Sequence, residues 1–188
     1  AALWGTVLGA MFGGWPTDRW GRKNTLVVIG GLYLISALGS ALVSDPISFS
    51  LFRFIGGLGV GASTIAAPAY ISEIAPAHSR GRLVALYQLS IVLGILLAFL
   101  SIYLLRDVGD QAWRWMLGVE AAPAILYGLF VLFVPQSPRW LVMQGRSEEA
   151  VEILRRLQPE TEFKDWAAEL KPDTAPGNAS IFSGKYRS

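Results

Sequence analysis

Long stretches without a charged residue most constrain what this chain can fold into. Thr25 to Ser44 and Leu83 to Leu105 contain no Asp, Glu, Lys or Arg over 20 and 23 residues. Two further stretches, Ile47 to Ser72 and Trp115 to Val134, contain one charged residue each. About 20 mostly apolar residues are enough for a helix to cross a lipid bilayer. The sequence therefore predicts an all-α membrane protein with four complete spans.

The sequence predicts that the chain has three parts. An apolar run from Ala1 to about Pro16 is shorter than the roughly 20 residues of a span, so we expect a helix truncated at its N-terminal end. The chain becomes polar after Val134, and an amphipathic helix is predicted from Ser147 because acids come early in it and arginines late. The three predicted parts are membrane helices over 1–134, a cytoplasmic helical segment over 135–171 with a second polar helix at Glu160 to Leu170, and a linker over 172–188.

The charges between the spans predict the orientation. Five Lys and Arg residues follow the first and third apolar segments, whereas two lie in the opposite loops. The first group is Arg19, Arg22, Lys23, Arg80 and Arg82, and the second is Arg106 and Arg114. Cytoplasmic loops of membrane proteins carry the excess of Lys and Arg. We therefore expect a multi-pass protein of the cell inner (plasma) membrane with 17–24, 73–82 and 135–188 on the cytoplasmic side.

Composition argues against several classes of protein. The chain is 16% charged, whereas soluble domains carry about 25% charged residues. It has no cysteine and one histidine, which excludes disulfides and thiolate or His-rich metal sites. A net charge of +2, spread over the loops, gives no reason to expect nucleic acid. No nucleophile–base pair can be assembled either, so we predict no cofactor, no metal and no enzyme activity.

Polar side chains inside the predicted spans are the candidate functional residues. Arg53 lies about seven residues into its span, where a guanidinium needs a partner or must reach the interface. Glu120 has three options, which are Arg53, another helix, or the nearby interface. The amide of Gln88 suits sugar hydroxyls and an interhelical hydrogen bond equally well. Ile91 and Ile95 continue the same helical face.

Small residues predict one close helix–helix contact. Gly5, Gly9 and Gly13 recur every four residues on the first helix, and Gly57 and Gly61 repeat this spacing on the third. Small residues at this spacing let two helices approach closely within lipid. We therefore expect close helix packing at these glycines.

Four separated strings resemble the signatures of a known family, in the family's order. The stretch from Gly14 to Lys23 fits G-x-x-x-D-R-x-G-R-[RK] and resembles the loop between helices 2 and 3 of the major facilitator superfamily. Three others resemble signatures of its sugar porter family: Pro68 to Pro76 followed by Arg80-Gly81-Arg82, Val134 to Leu141, and Ile181 to Tyr186. The string Trp113 to Glu120 is most similar to bacterial members.

The resemblance implies a fold and a function. The fold is a twelve-helix transporter of two six-helix halves, of which this chain would hold helices 2 to 6 and lack helix 1 and the C-terminal half. The implied function is transport of a monosaccharide by alternating access, as proton symport or facilitated diffusion. Gln88 matches a sugar-binding glutamine, with Ile91 and Ile95 beside it. Arg53 matches an arginine coupled to a helix-1 acid, and Glu120 is the second intramembrane charge.

The resemblance also implies a cytoplasmic gating network that closes the outward-facing state. Its members are Asp18, Arg19, Arg22, Glu73, Arg80 and Arg139, with Lys23, Arg82 and Gln136 in the same motifs. Gln136 replaces the usual glutamate, which would turn one ion pair into a neutral hydrogen bond. Ile95 stands where some proton-coupled members carry glutamine and facilitators carry isoleucine. The rival hypotheses are an antiporter of drugs or organic acids, a transporter-like sugar receptor, and an inactive fragment.

Overall fold

The computed structural model describes residues 1–76, 78–109 and 111–157, and the regular structure in these ranges is helical. The helices are α1 Ala2–Phe12, α2 Gly14–Trp20, α3 Arg22–Leu42, α4 Pro46–Ile74, α5 Arg80–Leu105, α6 Ala112–Gly118, α7 Ala121–Phe133, α8 Pro138–Met143 and α9 Ser147–Leu157. The helix predicted at Glu160 to Leu170, the linker 172–188 and the string Ile181 to Tyr186 lie outside the described residues.

The predicted spans are confirmed. Four helical stretches are long and apolar enough to cross a membrane: Arg22–Leu42, Pro46–Ile74, Arg80–Leu105 and Ala112–Phe133. The last of these combines α6 and α7, and α1 is the shorter apolar helix that precedes them. The start of α4 has a local cause, because Asp45 accepts the backbone N–H of Ser48 at 2.8 Å and Pro46 occupies the first turn. That bond also lowers the pKa of Asp45.

The charges and glycines at 14–23 predict a tight turn at a membrane surface, but the stretch is mostly helical, so this prediction is wrong for most of its length. Helix α2 continues to Trp20, α3 begins at Arg22, and the reversal takes place at Gly21 alone. Gly21 has a φ of +89°, which residues with a Cβ rarely adopt. Pro16 is tolerated because it lies in the first turn of α2, where its missing N–H is not needed.

Close packing at the glycines is confirmed, and the structure shows that it joins α1 to α4. A Cβ added to Gly9 would overlap the carbonyl oxygen of Leu58, and one added to Gly61 would overlap that of Thr6. The two backbones therefore touch without side chains between them. Helix α3 packs on the other side of α4, and α7 packs on α3.

Two clusters of buried apolar side chains join further helices. The first joins α3, α4 and α7 through the buried side chains of Leu26, Ile29, Ala66 and Val131. The second joins α8 to α9 through Trp140, Leu141 and Ala150. Helices α8 and α9 thus have a small core of their own.

Helix α5 differs from the other long helices. It is 26 residues long, and none of its residues is buried against the rest of the described chain. Its surface is almost entirely apolar, as expected of a helix surrounded by lipid or by further helices. Gln88, Ile91 and Ile95 are exposed on it.

Candidate functional site

The first cluster of functional side chains lies where α2, α3 and α4 meet. The guanidinium of Arg22 lies 3.0 Å from Glu73 (Nη2 to Oε1) and 3.1 Å from Asp18 (Nη1 to Oδ1). It also donates to the backbone carbonyl of Thr17 at 3.2 Å. The side chains of Arg22 and Glu73 are 11% and 8% exposed, whereas that of Asp18 is 70% exposed. Arg22 and Glu73 therefore form a buried ion pair, and the solvent-exposed Asp18 is a second acid in contact with Arg22.

Ser137 connects this ion pair to α8. Its hydroxyl donates to the second carboxylate oxygen of Glu73 at 2.5 Å and accepts the backbone N–H of Trp140 at 3.2 Å. The second bond is an N-terminal cap, and Pro138 follows as the first helical residue. Sequence reasoning missed this role of Ser137, although a Ser-Pro pair before an apolar stretch is a helix-start signal.

A second connection joins α8 to the reversal at Gly21. Gln136 donates from Nε2 to Oδ1 of Asn24 at 3.2 Å, and Trp140 donates from Nε1 to the carbonyl of Asp18 at 2.9 Å. The indole lies directly against Gly21, where an added Cβ would lie 3.0 Å from two ring atoms. Gln136 thus bonds a neutral amide, and neither Asn24 nor Trp140 was among the predicted site residues.

The other predicted members of the network lie apart from this cluster. The Arg19 guanidinium carbon is 5.3 Å from the centre of the Trp15 ring, a cation–π contact. Lys23 donates to the carbonyl of Leu132 at 3.0 Å. Three exposed arginines form no ion pair within the described part of the chain; they are Arg80, Arg82 and Arg139.

The second functional cluster is an ion pair between two spans. Nη1 of Arg53 on α4 lies 3.1 Å from Oε2 of Glu120, and the side chains are 24% and 48% exposed. Of the three options for Glu120, the structure therefore shows the one with Arg53. A groove of about 400 Å³ lies beside the pair, between α1, α3, α4 and α7. Tyr33 and Tyr127 form part of its wall.

Glu120 is placed by a break in its helix. The span predicted from Trp115 to Val134 is confirmed, but its helix is broken here, because α6 ends at Gly118 and α7 begins at Ala121. At the break, two backbone hydrogen bonds span three residues instead of four. The N–H of Glu120 donates to the carbonyl of Leu117, and that of Ala122 donates to the carbonyl of Val119, each at 3.2 Å. Pro123, two residues into α7, has no N–H with which to continue the ladder. Gly118 and Pro123 are the sequence features that could have predicted the break between α6 and α7.

Together, the four spans, the buried ion pair where α2, α3 and α4 meet and the second pair between two spans belong to part of a major facilitator fold. The family model described as "Sugar (and other) transporter" matches residues 1–183. The chain belongs to this sugar transporter family.

Similar proteins include named sugar transporters. The glucose transport protein of Synechocystis sp. is 43% identical over 168 residues, which cover 84% of this chain and 36% of that protein. The arabinose-proton symporter of Escherichia coli K12 is 42% identical over 158 residues, covering 84% of this chain and 33% of the symporter. The chain thus spans about a third of the length of these relatives.

A solved structure shares the fold. The E. coli proton:xylose symporter XylE, bound to 6-bromo-6-deoxy-D-glucose, matches with a TM-score of 0.84 and 35% identity. The match covers 90% of this chain and 41% of XylE. The described helices therefore correspond to the N-terminal half of a major facilitator protein.

Proposed function

We propose that this chain is the N-terminal part of a transporter that carries a monosaccharide across the cell inner (plasma) membrane. The observation that carries the proposal is its membership of the sugar transporter family over residues 1–183. In alternating access, a site near the bilayer midplane opens to one side at a time as two halves rock. The partners would be the sugar, the lipid bilayer, and helix 1 with the C-terminal half of the same protein.

We assign the sugar-binding role to one face of α5. Gln88 is exposed on a helix whose surroundings are apolar, and its amide makes no hydrogen bond within the described residues. Its N–H and C=O groups are therefore available to sugar hydroxyls. Ile91 and Ile95 lie three and seven residues further on, so they extend the same face with apolar contact surface.

We assign ion coupling to the pair between Arg53 and Glu120. A proton bound by the carboxylate would cancel its charge and so release it from the permanently charged guanidinium. Glu120 is half exposed beside an open groove, which supports access for a proton. This favours proton symport. Facilitated diffusion is the alternative. Ile95 is the argument for it, because facilitators of this family carry isoleucine at that position.

We assign cytoplasmic gating to the cluster around Arg22. Asp18 is exposed at its surface, so it is the member that can exchange partners with the second half of the transporter. The exposed guanidiniums of Arg80 and Arg139 are available for the same purpose. Charge pairs that form in one state and break in the other bias the equilibrium between the two states.

Direct binding of sugars to the complete transporter tests the assignment of Gln88. Losing one such hydrogen bond costs about 1 kcal/mol or more, so Gln88→Ala should weaken sugar affinity roughly tenfold. Leu97→Ala is the matched control, because Leu97 lies nine residues away, half a turn around α5, and is also exposed. Equal affinity of the Gln88→Ala variant and the parent would contradict the assignment.

A further inference from the structure

The orientation of the Asn24 amide follows from its backbone contact. Its Nδ2 donates to the carbonyl oxygen of Trp20 at 2.9 Å, and only the NH₂ end of an amide can donate to a carbonyl. Oδ1 is therefore the end of Asn24 that faces Gln136. Gln136 must then present its own NH₂ group, as it does at 3.2 Å.

This chain of bonds discriminates between glutamine and glutamate at position 136. A carboxylate there would place an acceptor against Oδ1 of Asn24, and turning Asn24 over would set its oxygen against the Trp20 carbonyl. The other amide atom of Gln136, Oε1, is buried and has no hydrogen-bond partner within the described residues. Gln136 is therefore held through its donor, the group that glutamate lacks.

The indole of Trp140 completes the attachment of α8. Its N–H bonds the carbonyl of Asp18, and its ring covers Gly21. The same indole belongs to the apolar cluster that joins α8 to α9. Both cytoplasmic helices are thus linked to the reversal between α2 and α3 by neutral groups.

We propose that Asn24 is a positioning residue, which requires glutamine at position 136 and holds the unit of α8 and α9 against the reversal at Gly21. This attachment is separate from the ion pair of Arg22 and Glu73. Neutral hydrogen bonds are not screened by salt, whereas the exposed contact of Asp18 is. The proposal goes beyond sugar transport and holds whichever solute the complete protein carries.

A distance measurement on the complete transporter in lipid nanodiscs tests the proposal. This chain has no cysteine, so spin labels can be placed at Leu42→Cys and Met143→Cys once any cysteine elsewhere is replaced. Both sites are well exposed, at the outer end of α3 and the end of α8. Pulsed electron paramagnetic resonance, without substrate, then reports the position of α8 relative to the spans.

Three variants discriminate between the outcomes. Asn24→Leu removes the acceptor and Gln136→Glu removes the donor, so each should add a second population of longer distances. Gln144→Glu makes the same chemical change as Gln136→Glu at an exposed site directly after α8 and should have no effect. A single parental distance in both Asn24→Leu and Gln136→Glu would overturn the proposal, as would the same second population in Gln144→Glu.

Discussion

Arg22 has two acidic neighbours in very different surroundings. Its contact with Glu73 is almost fully buried, whereas its contact with Asp18 is open to solvent on the acid's side. Exposed ion pairs typically contribute about 0–1 kcal/mol, but removing one partner of a buried pair costs about 3–5 kcal/mol. The two acids should therefore have different roles, one structural and one available for exchange.

We predict that Glu73→Gln destabilises the complete transporter far more than Asp18→Asn. The first change leaves the buried guanidinium of Arg22 without its close counter-ion, while the second removes only a solvent-exposed contact. Thermal unfolding of the purified variants in detergent measures the difference. Equal melting temperatures for Glu73→Gln and Asp18→Asn would show that the buried pair is not the structural one.

Sequence reasoning found the charges of this cluster but not the neutral residues around it. Asp18, Arg22 and Glu73 lie in motifs with a fixed order of charges, which made them recognisable. Asn24 and Trp140 bond the backbone carbonyls of Trp20 and Asp18. Since every residue has a carbonyl, such contacts leave no pattern in the sequence and are seen only when the helices are in place.

At the scale of the elements, the contact between α1 and α4 depends on residues without side chains. We predict that Gly9→Ala destabilises the protein by about 1–3 kcal/mol, because a methyl group would press on the backbone at Leu58. Gly31→Ala on α3 is the matched control, since nothing lies within 4 Å of its added Cβ. That change should be neutral or stabilise by up to about 1 kcal/mol. Chemical or thermal unfolding measures the stability of both variants. Equal losses of unfolding free energy in Gly9→Ala and Gly31→Ala would refute the close contact.

The break between α6 and α7 is the element-level feature that the apolar pattern did not reveal. Hydropathy and length predicted the four spans because the bilayer imposes them. A break of two residues leaves the hydropathy of the whole span almost unchanged, so only local backbone chemistry at Gly118 and Pro123 could indicate it. The pairing of Arg53 with Glu120 likewise needed the helix packing to select one of three options.

We predict that Pro123→Ala closes this break. The new N–H can bond the carbonyl of Val119, which extends the ladder of α7 towards α6. Hydrogen–deuterium exchange of the amides at 119–122, which both proteins have, should therefore slow in the variant. Pro46→Ala is the control, because Pro46 lies in the first turn of α4 where no N–H is needed. Unchanged exchange at 119–122 would mean that Pro123 does not cause the break.

At the scale of the whole molecule, we expect the described helices to form one side of the proposed transport path. Helix α5 carries Gln88 on a surface that no other described helix buries, and the groove beside Arg53 and Glu120 is open. A midplane site needs walls from two halves. Residues 1–188 by themselves are therefore expected to insert into a membrane but not to move a solute across it.

Uptake into sealed vesicles tests the central claim most directly. The complete transporter, reconstituted with labelled glucose, xylose and arabinose, should show saturable uptake of at least one of them, with competition by the unlabelled sugar. Vesicles that contain residues 1–188 alone, inserted to the same density, are the control and should show only leakage. Absence of saturable uptake of any of the three by the complete protein, or saturable uptake by residues 1–188 alone, would contradict the account.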